Sequence, residues 1–233
     1  MATRFAAVIF CITLFVTGCA NSSGYDVEVH KEEQETDYSQ VYAEIIEFDG
    51  FKDAEFLSQV NMSVADDVRD AIHKFDALAQ ESDLPDGVKA ALRITQSLKR
   101  NKGCIVSFVS EQYIYTGGAH GTASWYPKTI YSDSESSYML TLPQLFDSDE
   151  YIDIINSQID EIVEKNPDIY QELWAEPHIS KETEDRFYLT DTELVIYFPP
   201  YELSYYAKGF VEFKIPLQNI NSVLKEQFRD SKK

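Results

Sequence analysis

A short glycine-rich stretch, Gly117-Gly118-Ala119-His120-Gly121, contains the side chain best suited to chemistry. The imidazole of His120 titrates near neutral pH, so it could serve as a general base or as a metal ligand. The glycine spacing is not that of a phosphate loop, but three glycines in five residues allow positive φ angles and a sharp break between strands. In a purely structural interpretation of this stretch, His120 stabilises the break by hydrogen bonds. The structural interpretation is preferred, because no candidate nucleophile and no second catalytic motif accompanies His120.

Metal ligands are sparse in the sequence. The four histidines form neither an H-x-x-x-H nor an H-E-x-x-H pair, so a zinc hydrolase is not expected. The acids Asp147, Asp149 and Glu150 lack the alternating spacing of a calcium loop, and acids at a helix start are explained by the helix dipole. We therefore expect no metal and no cofactor. The histidines are His30, His73, His120 and His178.

A second unusual segment carries four tyrosines in the ten residues 197–206. Tyrosine side chains pack in cores, but on a loop they also form rigid, amphipathic contact surfaces for a partner. Aromatic enrichment alone does not separate these two roles, so both stay open for this segment. The candidate binding residues are Tyr201, Tyr205 and Tyr206.

The N-terminus has the features of an exported lipoprotein. Arg4 supplies a positive charge, and the apolar run at 5–16 is shorter than the roughly 20 residues that span a bilayer. The tetrapeptide VTGC (16–19) then resembles a lipobox, in which the cysteine is acylated after cleavage. We therefore expect a signal peptide at 1–18, a lipid anchor on Cys19, and an extracytoplasmic location on a cell membrane.

Charge and cysteine content limit the partners and the chemistry. The chain has 20 basic and 40 acidic residues, a formal net charge of −20, and loss of residues 1–18 would remove Arg4 and leave −21. Such a chain repels nucleic acid and anionic lipid, so neither is an expected partner, whereas a cationic protein would be attracted. Composition alone favours the simpler interpretation, in which the charge only keeps a surface protein soluble. Cys104 is the cysteine that remains for the exported domain, so no disulfide within it is expected, and its apolar neighbours favour a buried thiol.

Hydrophobic periodicity predicts a single α+β domain over residues 41–233, preceded by an acidic flexible tether at 19–40. Apolar residues recur every three or four positions in a long helix from about Asp53 and in a second helix at about 149–165. The strands lie in local groups joined by short turns, so we expect antiparallel sheets with two main helices packed on one side. The predicted strands are 41–48, 88–98, 105–115, 122–131, 138–142, 187–189, 194–198 and 210–215.

Three sequence motifs occur in an order that is also found in a known protein family. Tyr-x-Tyr-Thr-Gly-Gly-Ala-His-Gly (113–121) is followed by LPQLF (142–146), a helix, and YELSYYAxG (201–209). This pattern resembles the extracytoplasmic domain of the RsiV family, the lysozyme-binding anti-sigma-V factors of Gram-positive bacteria, over about residues 41–228. Similar domains of unknown function occur in lipoproteins and beside a peptidoglycan deacetylase module. The resemblance implies an α+β fold and a non-enzymatic binding role at the cell envelope.

Three alternative functions follow. The leading one is an envelope binding protein, with a cationic protein such as lysozyme as a ligand and with binding that is sensitive to salt. The second is a peptidoglycan- or glycan-binding module whose exposed tyrosines stack on sugars and whose binding hardly changes with salt. The third is a hydrolase that uses His120, which requires a carboxylate or hydroxyl within hydrogen-bond reach of the imidazole.

Overall fold

The computed structural model describes residues 24–229, so the predicted signal peptide and Cys19 lie outside the described residues. Over this range the chain is a mixture of helices and strands, which confirms the predicted α+β class. Strands one to six form one sheet in sequence order, and the last three form a second sheet. The strands are β1 (Asp26–Glu35), β2 (Ser39–Asp49), β3 (Ala90–Lys102), β4 (Ile105–Tyr115), β5 (Thr122–Ser132), β6 (Ser137–Met139), β7 (Phe187–Leu189), β8 (Glu193–Phe198) and β9 (Val211–Pro216), and the helices are α1 (Ala54–Glu81), α2 (Tyr151–Lys165), α3 (Pro167–Tyr170) and α4 (Leu217–Ile220).

The chain divides into two compact units, each with its own long helix. In the first unit α1 packs on β2, and in the second unit α2 packs on β9. The two main helices therefore pack on strands of different sheets, whereas the sequence pattern predicted that they share one side. The first unit is the chain up to Ser97 with Ser110–Trp125 and Ser132–Ser137, and the second is Leu98–Val109, Tyr126–Tyr131 and the chain from Tyr138 onward.

The prediction of a flexible tether at 19–40 is wrong for much of that segment, because residues 26–35 form strand β1. β1 lies at the edge of its sheet and pairs antiparallel with β2 along its whole length. Edge strands tolerate charged side chains, which also prevent edge-to-edge association. Lys31 of β1 forms a cross-strand ion pair with Glu44 of β2 at 3.8 Å. Charged residues of this kind occupy positions at which apolar residues would have indicated a strand in the sequence. The folded region therefore starts well before residue 41.

β2 and β3 pair in parallel, which departs from the predicted antiparallel arrangement. The 28-residue helix α1 connects them, and a crossover of this kind is what parallel neighbours require. The Asp53 carboxylate caps α1 by accepting a hydrogen bond from the backbone N–H of Phe56 at 2.9 Å. The buried face of α1 repeats every three or four residues, as predicted, and consists of Val60, Val64, Val68, Ile72, Phe75 and Ala79.

Side chains complete the hydrogen bonding of β2 beyond its pairing with β3, which ends at Ala43. The amide of Asn61 on α1 binds both backbone groups of Phe48, accepting from its N–H and donating to its carbonyl oxygen, each at 2.9 Å. The Gln96 side-chain oxygen accepts from the N–H of Ile46 at 2.6 Å. A buried backbone group without a partner costs about 1–3 kcal/mol, so these two amides stabilise the end of β2.

The second unit has its core around the three-stranded sheet. β8 is the central strand and pairs antiparallel with β7 and with β9. Ile155 and Ile159 of α2 belong to the same buried cluster as Phe213 and Ile215 of β9. These positions are the apolar stripe of the second predicted helix and the inward positions of the last predicted strand.

The expectation of a buried Cys104 is wrong. Its side chain is exposed in the turn between β3 and β4, next to Gly103, which has a φ of +61°. Burial begins one residue later, at Ile105. Apolar neighbours in sequence therefore misled the prediction, because the strand boundary falls between the cysteine and the apolar run.

Candidate functional site

The glycine-rich stretch forms the loop that joins β4 to β5. Gly117 and Gly118 have φ angles of +122° and +86°, which side chains of the L configuration rarely adopt. The hydroxyl of Tyr115 donates a hydrogen bond to the carbonyl oxygen of Gly118 at 3.3 Å. These two glycines give the chain the conformation that reverses its direction.

Gly121 is required by packing rather than by its φ angle. The residue is buried, and a Cβ atom there would lie 2.4 Å from the Ile114 carbonyl oxygen and 2.5 Å from Cζ of Tyr113. The Gly121 N–H also donates to the Tyr113 hydroxyl oxygen at 3.0 Å. The tyrosine ring therefore occupies the space of a missing side chain, which explains why the motif contains both residues.

His120 is exposed in this loop. Its Nδ1 atom lies 2.9 Å from the carbonyl oxygen of Gly121, so the ring N–H donates to the backbone of its own loop. His178, in the second unit, instead lies 2.8 Å from the carboxylate of Asp160. Among residues 24–229 no group of three or more His, Cys, Asp or Glu side chains could hold a metal ion. The contact of His120 fits the interpretation in which the imidazole stabilises the loop.

The tyrosine-rich segment is divided between core and surface. Tyr197 lies in β8 and is only 6% exposed, so it belongs to the core. Tyr201 and Tyr205 follow in the loop between β8 and β9 and are 58% and 44% exposed. Tyr206 is half-buried, with its ring centroid 5.4 Å from that of Tyr201. Both roles that the sequence left open are therefore present, and the three candidate binding residues lie on the loop.

Tyr201 has a backbone conformation that is rare for its residue type. Its φ of 71° makes it the one residue other than glycine with positive φ in the described part of the chain. A residue with a β-carbon pays about 1–2 kcal/mol for a left-handed conformation. Strain of this kind is concentrated at functional sites, where the surrounding structure maintains it.

Trp174 joins the exposed tyrosines from a different segment and was not predicted from the sequence. It is 58% exposed, yet its indole N–H donates to the Glu202 carbonyl oxygen at 2.9 Å. Its backbone N–H donates to the Leu203 carbonyl oxygen at 3.0 Å. No sequence signal pairs Trp174 with a loop 28 positions later, because a long-range contact creates the relation. We define the aromatic patch as Trp174, Tyr201, Tyr205 and Tyr206.

Charged side chains hold the aromatic patch in place. The Tyr205 hydroxyl donates to Glu172 at 2.8 Å, and Lys208 Nζ lies 3.4 Å from the same carboxylate. The hydrogen bond from Tyr205 lowers the pKa of Glu172, and the same bond raises the pKa of Tyr205. Glu172 is therefore ionised and Tyr205 protonated at neutral pH. Glu202 forms an ion pair with Arg186 at 2.6 Å.

Cys19, the predicted lipidation site, lies outside the described residues, and its acylation stays a prediction. Within residues 24–229, no helix combines the length and the apolar character needed to cross a membrane.

Two family comparisons match different segments of the chain. Residues 143–218 match the family described as a protein of unknown function, DUF3298, and residues 32–123 match the family described as deacetylase PdaC. The aromatic loop at 201–206 lies in the first of these segments, and the glycine-rich loop at 117–121 lies in the second. No curated protein matches the chain.

Two solved structures have a similar fold. A DUF3298 family member from Bacteroides fragilis has a TM-score of 0.60 at 12% sequence identity, covering 88% of this chain and 96% of its own. A DUF3298 family protein from Pseudomonas aeruginosa has a TM-score of 0.58 at 14% identity, covering 91% and 99%. At these identities the likeness concerns the fold alone. The chain therefore has the fold of solved DUF3298 proteins and contains one segment that matches DUF3298 and one that matches PdaC.

Proposed function

We propose that this protein is a lipid-anchored, extracytoplasmic binding protein of the cell envelope, and that its aromatic patch binds a cationic protein. The observation that carries the proposal is the aromatic patch, in which three of the four side chains are exposed and hydrogen bonds within the chain fix Trp174 and Tyr205. The motif order that resembles the lysozyme-binding RsiV family supports a protein ligand. Hen-type lysozyme is therefore the first ligand to test.

The aromatic patch has the properties of a binding hot spot. Tryptophan and tyrosine supply large contact areas at a low cost in conformational entropy, and they are enriched among the few interface residues whose truncation to alanine costs about 2 kcal/mol or more. Trp174 and Tyr205 already make hydrogen bonds to Glu202 and Glu172, so binding does not have to order these rings. The positive φ of Tyr201 is a conformational cost that core packing alone does not explain.

Net charge favours a cationic partner over a neutral one. The carboxylates beside the aromatic patch, Glu172 and Glu202, already have cationic partners. The attraction therefore comes mainly from the overall charge, which is −21 once residues 1–18 and Arg4 are lost and which speeds encounter. A neutral glycan would gain stacking on the aromatic rings without this attraction. Salt dependence consequently separates a protein ligand from a glycan ligand.

Residues 20–233 are expected to bind hen-type lysozyme in a surface-based kinetic assay. Raising salt from low to physiological concentration should slow association roughly tenfold and change dissociation little, because steering is screened while contacts persist. Binding to isolated cell walls that salt hardly changes would instead support the glycan alternative. A lack of lysozyme binding at high micromolar concentration would contradict the choice of lysozyme.

A non-enzymatic role is part of the proposal. The name of the family that matches residues 32–123 makes acetyl-group hydrolysis the activity to test, with His120 as the base. The hydrogen bond from His120 to the Gly121 carbonyl oxygen instead serves the loop. Turnover of an acetylated peptidoglycan substrate that disappears in His120→Ala would overturn the binding proposal in favour of the hydrolase.

The lipid anchor is tested separately from the ligand. Cys19→Ser is expected to release the protein from membranes, because each buried methylene of an acyl chain contributes about 0.8 kcal/mol to membrane affinity. Membrane fractionation after a high-salt wash measures the effect, and Cys104→Ser is the matched control that should stay bound. Retention of the Cys19→Ser protein in the membrane pellet would show that the anchor proposal is wrong.

A further inference from the structure

A cleft of about 840 Å³ opens in the first unit between the paired strands β1 and β2 and the first half of α1. The strands supply an acidic wall, and the helix supplies a largely apolar wall. The residues used in the argument are Asp26, Glu28, Glu47 and Asp49 on the strands and Leu57 and Met62 on the helix.

The acidic wall follows from the register of the strand pair. Asp26 lies directly opposite Asp49, and Glu28 directly opposite Glu47. Side chains at alternate positions share a face, so the four carboxylates form two adjacent like-charge pairs, an arrangement that destabilises a sheet. His30 contacts Glu47 at 2.7 Å from the same face, while Glu28 and Glu47 stay 40% and 55% exposed. Lysine and arginine are absent from the described lining of the cleft.

The helix wall offers apolar contact surface. Met62 is 59% exposed and Leu57 is half-buried, whereas Val60 and Val64 of the same helix face the core. Methionine is flexible and polarisable, so it adapts to different apolar partners. Asn61, between these residues in sequence, fixes this part of α1 to the backbone of Phe48. The wall is therefore positioned by contacts within the chain.

We propose that this cleft docks a basic amphipathic peptide segment of a partner protein, with lysine or arginine along the acidic wall and an apolar side chain against Leu57 and Met62. Charge complementarity selects this occupant. Carboxylates two residues apart on a strand are separated by about 7 Å, the spacing of alternate side chains in an extended peptide. Within residues 24–229 no group of carboxylates, these four included, is arranged to hold a metal ion. This proposal uses no residue of the aromatic patch and does not depend on the proposed function.

A labelled decapeptide of alternating lysine and leucine is the probe, and residues 20–233 are the protein. Fluorescence anisotropy is expected to show binding that weakens about tenfold in the double variant Glu28→Gln, Glu47→Gln, which corresponds to about 1.4 kcal/mol. Met62→Ser, at an exposed position that should not affect folding, removes the apolar contact without changing the charge and is expected to weaken binding to a similar degree. The control is Asp70→Asn with Glu81→Gln, two exposed acids of α1 outside the cleft with the same change in net charge.

The outcomes separate the cleft from simpler explanations. Equal losses in the cleft double variant and the control would mean that net charge alone binds the peptide, which overturns the proposal. A control decapeptide in which serine replaces every leucine is expected to bind more weakly. Equally tight binding of this lysine–serine peptide would show that the apolar wall is unused, which also overturns the proposal. Loss of peptide binding in Trp174→Ala, with binding retained in the cleft variants, would place the peptide on the aromatic patch and overturn this inference alone.

Discussion

Trp174→Ala is expected to weaken lysozyme binding about a hundredfold, mainly through faster dissociation. The indole is 58% exposed and is fixed by its hydrogen bond to the Glu202 carbonyl oxygen, so it presents a rigid contact surface. Its truncation removes that surface and one restraint on the aromatic loop. Kinetic binding measurements with equal protein concentrations test this effect, and circular dichroism checks the fold.

Tyr201→Gly is a second test of the role of the aromatic patch in binding. Glycine adopts the φ of 71° without a β-carbon, so relief of strain should offset the added freedom of the unfolded chain. Stability should therefore be retained while lysozyme binding weakens, which a purely structural tyrosine would not allow. Tyr38→Ala, an exposed aromatic residue of the first unit, should change binding by less than about twofold, as is usual outside a hot spot. Wild-type binding by Trp174→Ala and Tyr201→Gly would remove the aromatic patch from the proposal.

Gly121→Ala is expected to lower the free energy of unfolding by about 3 kcal/mol, the upper end of the usual cost of overpacking. The new Cβ would approach the Ile114 carbonyl oxygen at 2.4 Å, and backbone cannot move aside as a flexible side chain can. Gly118→Ala should cost less, about 1–2 kcal/mol, because its φ of +86° is strained but nothing lies within 4 Å of the added atom. Urea unfolding of the two variants measures the difference.

The control for the loop is His120→Ala, which should lower stability less than either glycine substitution. The imidazole is exposed, and its hydrogen bond to the Gly121 carbonyl oxygen is open to competition from water. A larger loss for His120→Ala than for Gly118→Ala would show that the imidazole, and not the glycine conformation, holds the loop.

Elements with a regular pattern could be predicted from the sequence, whereas elements defined by their neighbours could not. Helix α1 has an apolar residue at nearly every turn, and β4 and β5 are rich in β-branched and aromatic residues. β1 has no such pattern, because it is an edge strand rich in charged side chains, one of which, Lys31, pairs with Glu44 of β2. The parallel pairing of β2 with β3 likewise depends on where α1 returns the chain.

The candidate site shows the same division. The three tyrosines of the loop could be identified from composition, and Gly117 and Gly118 from their clustering. Trp174 could not, because its place beside the loop comes from hydrogen bonds to residues 28 and 29 positions away. The acidic wall of the cleft was also hidden, since the register of β1 and β2 places distant acids opposite each other.

The early start of β1 sets a limit on how far the protein can reach from a membrane. Cys19 precedes Asp26 by seven positions. A fully extended chain spans at most about 3.5 Å per residue. If Cys19 carries the proposed lipid, the start of β1 therefore lies within about 25 Å of the anchor. A flexible tether that ended at residue 41 would reach about three times as far. The domain would then stay next to the membrane, so a ligand would have to approach the membrane surface to reach it.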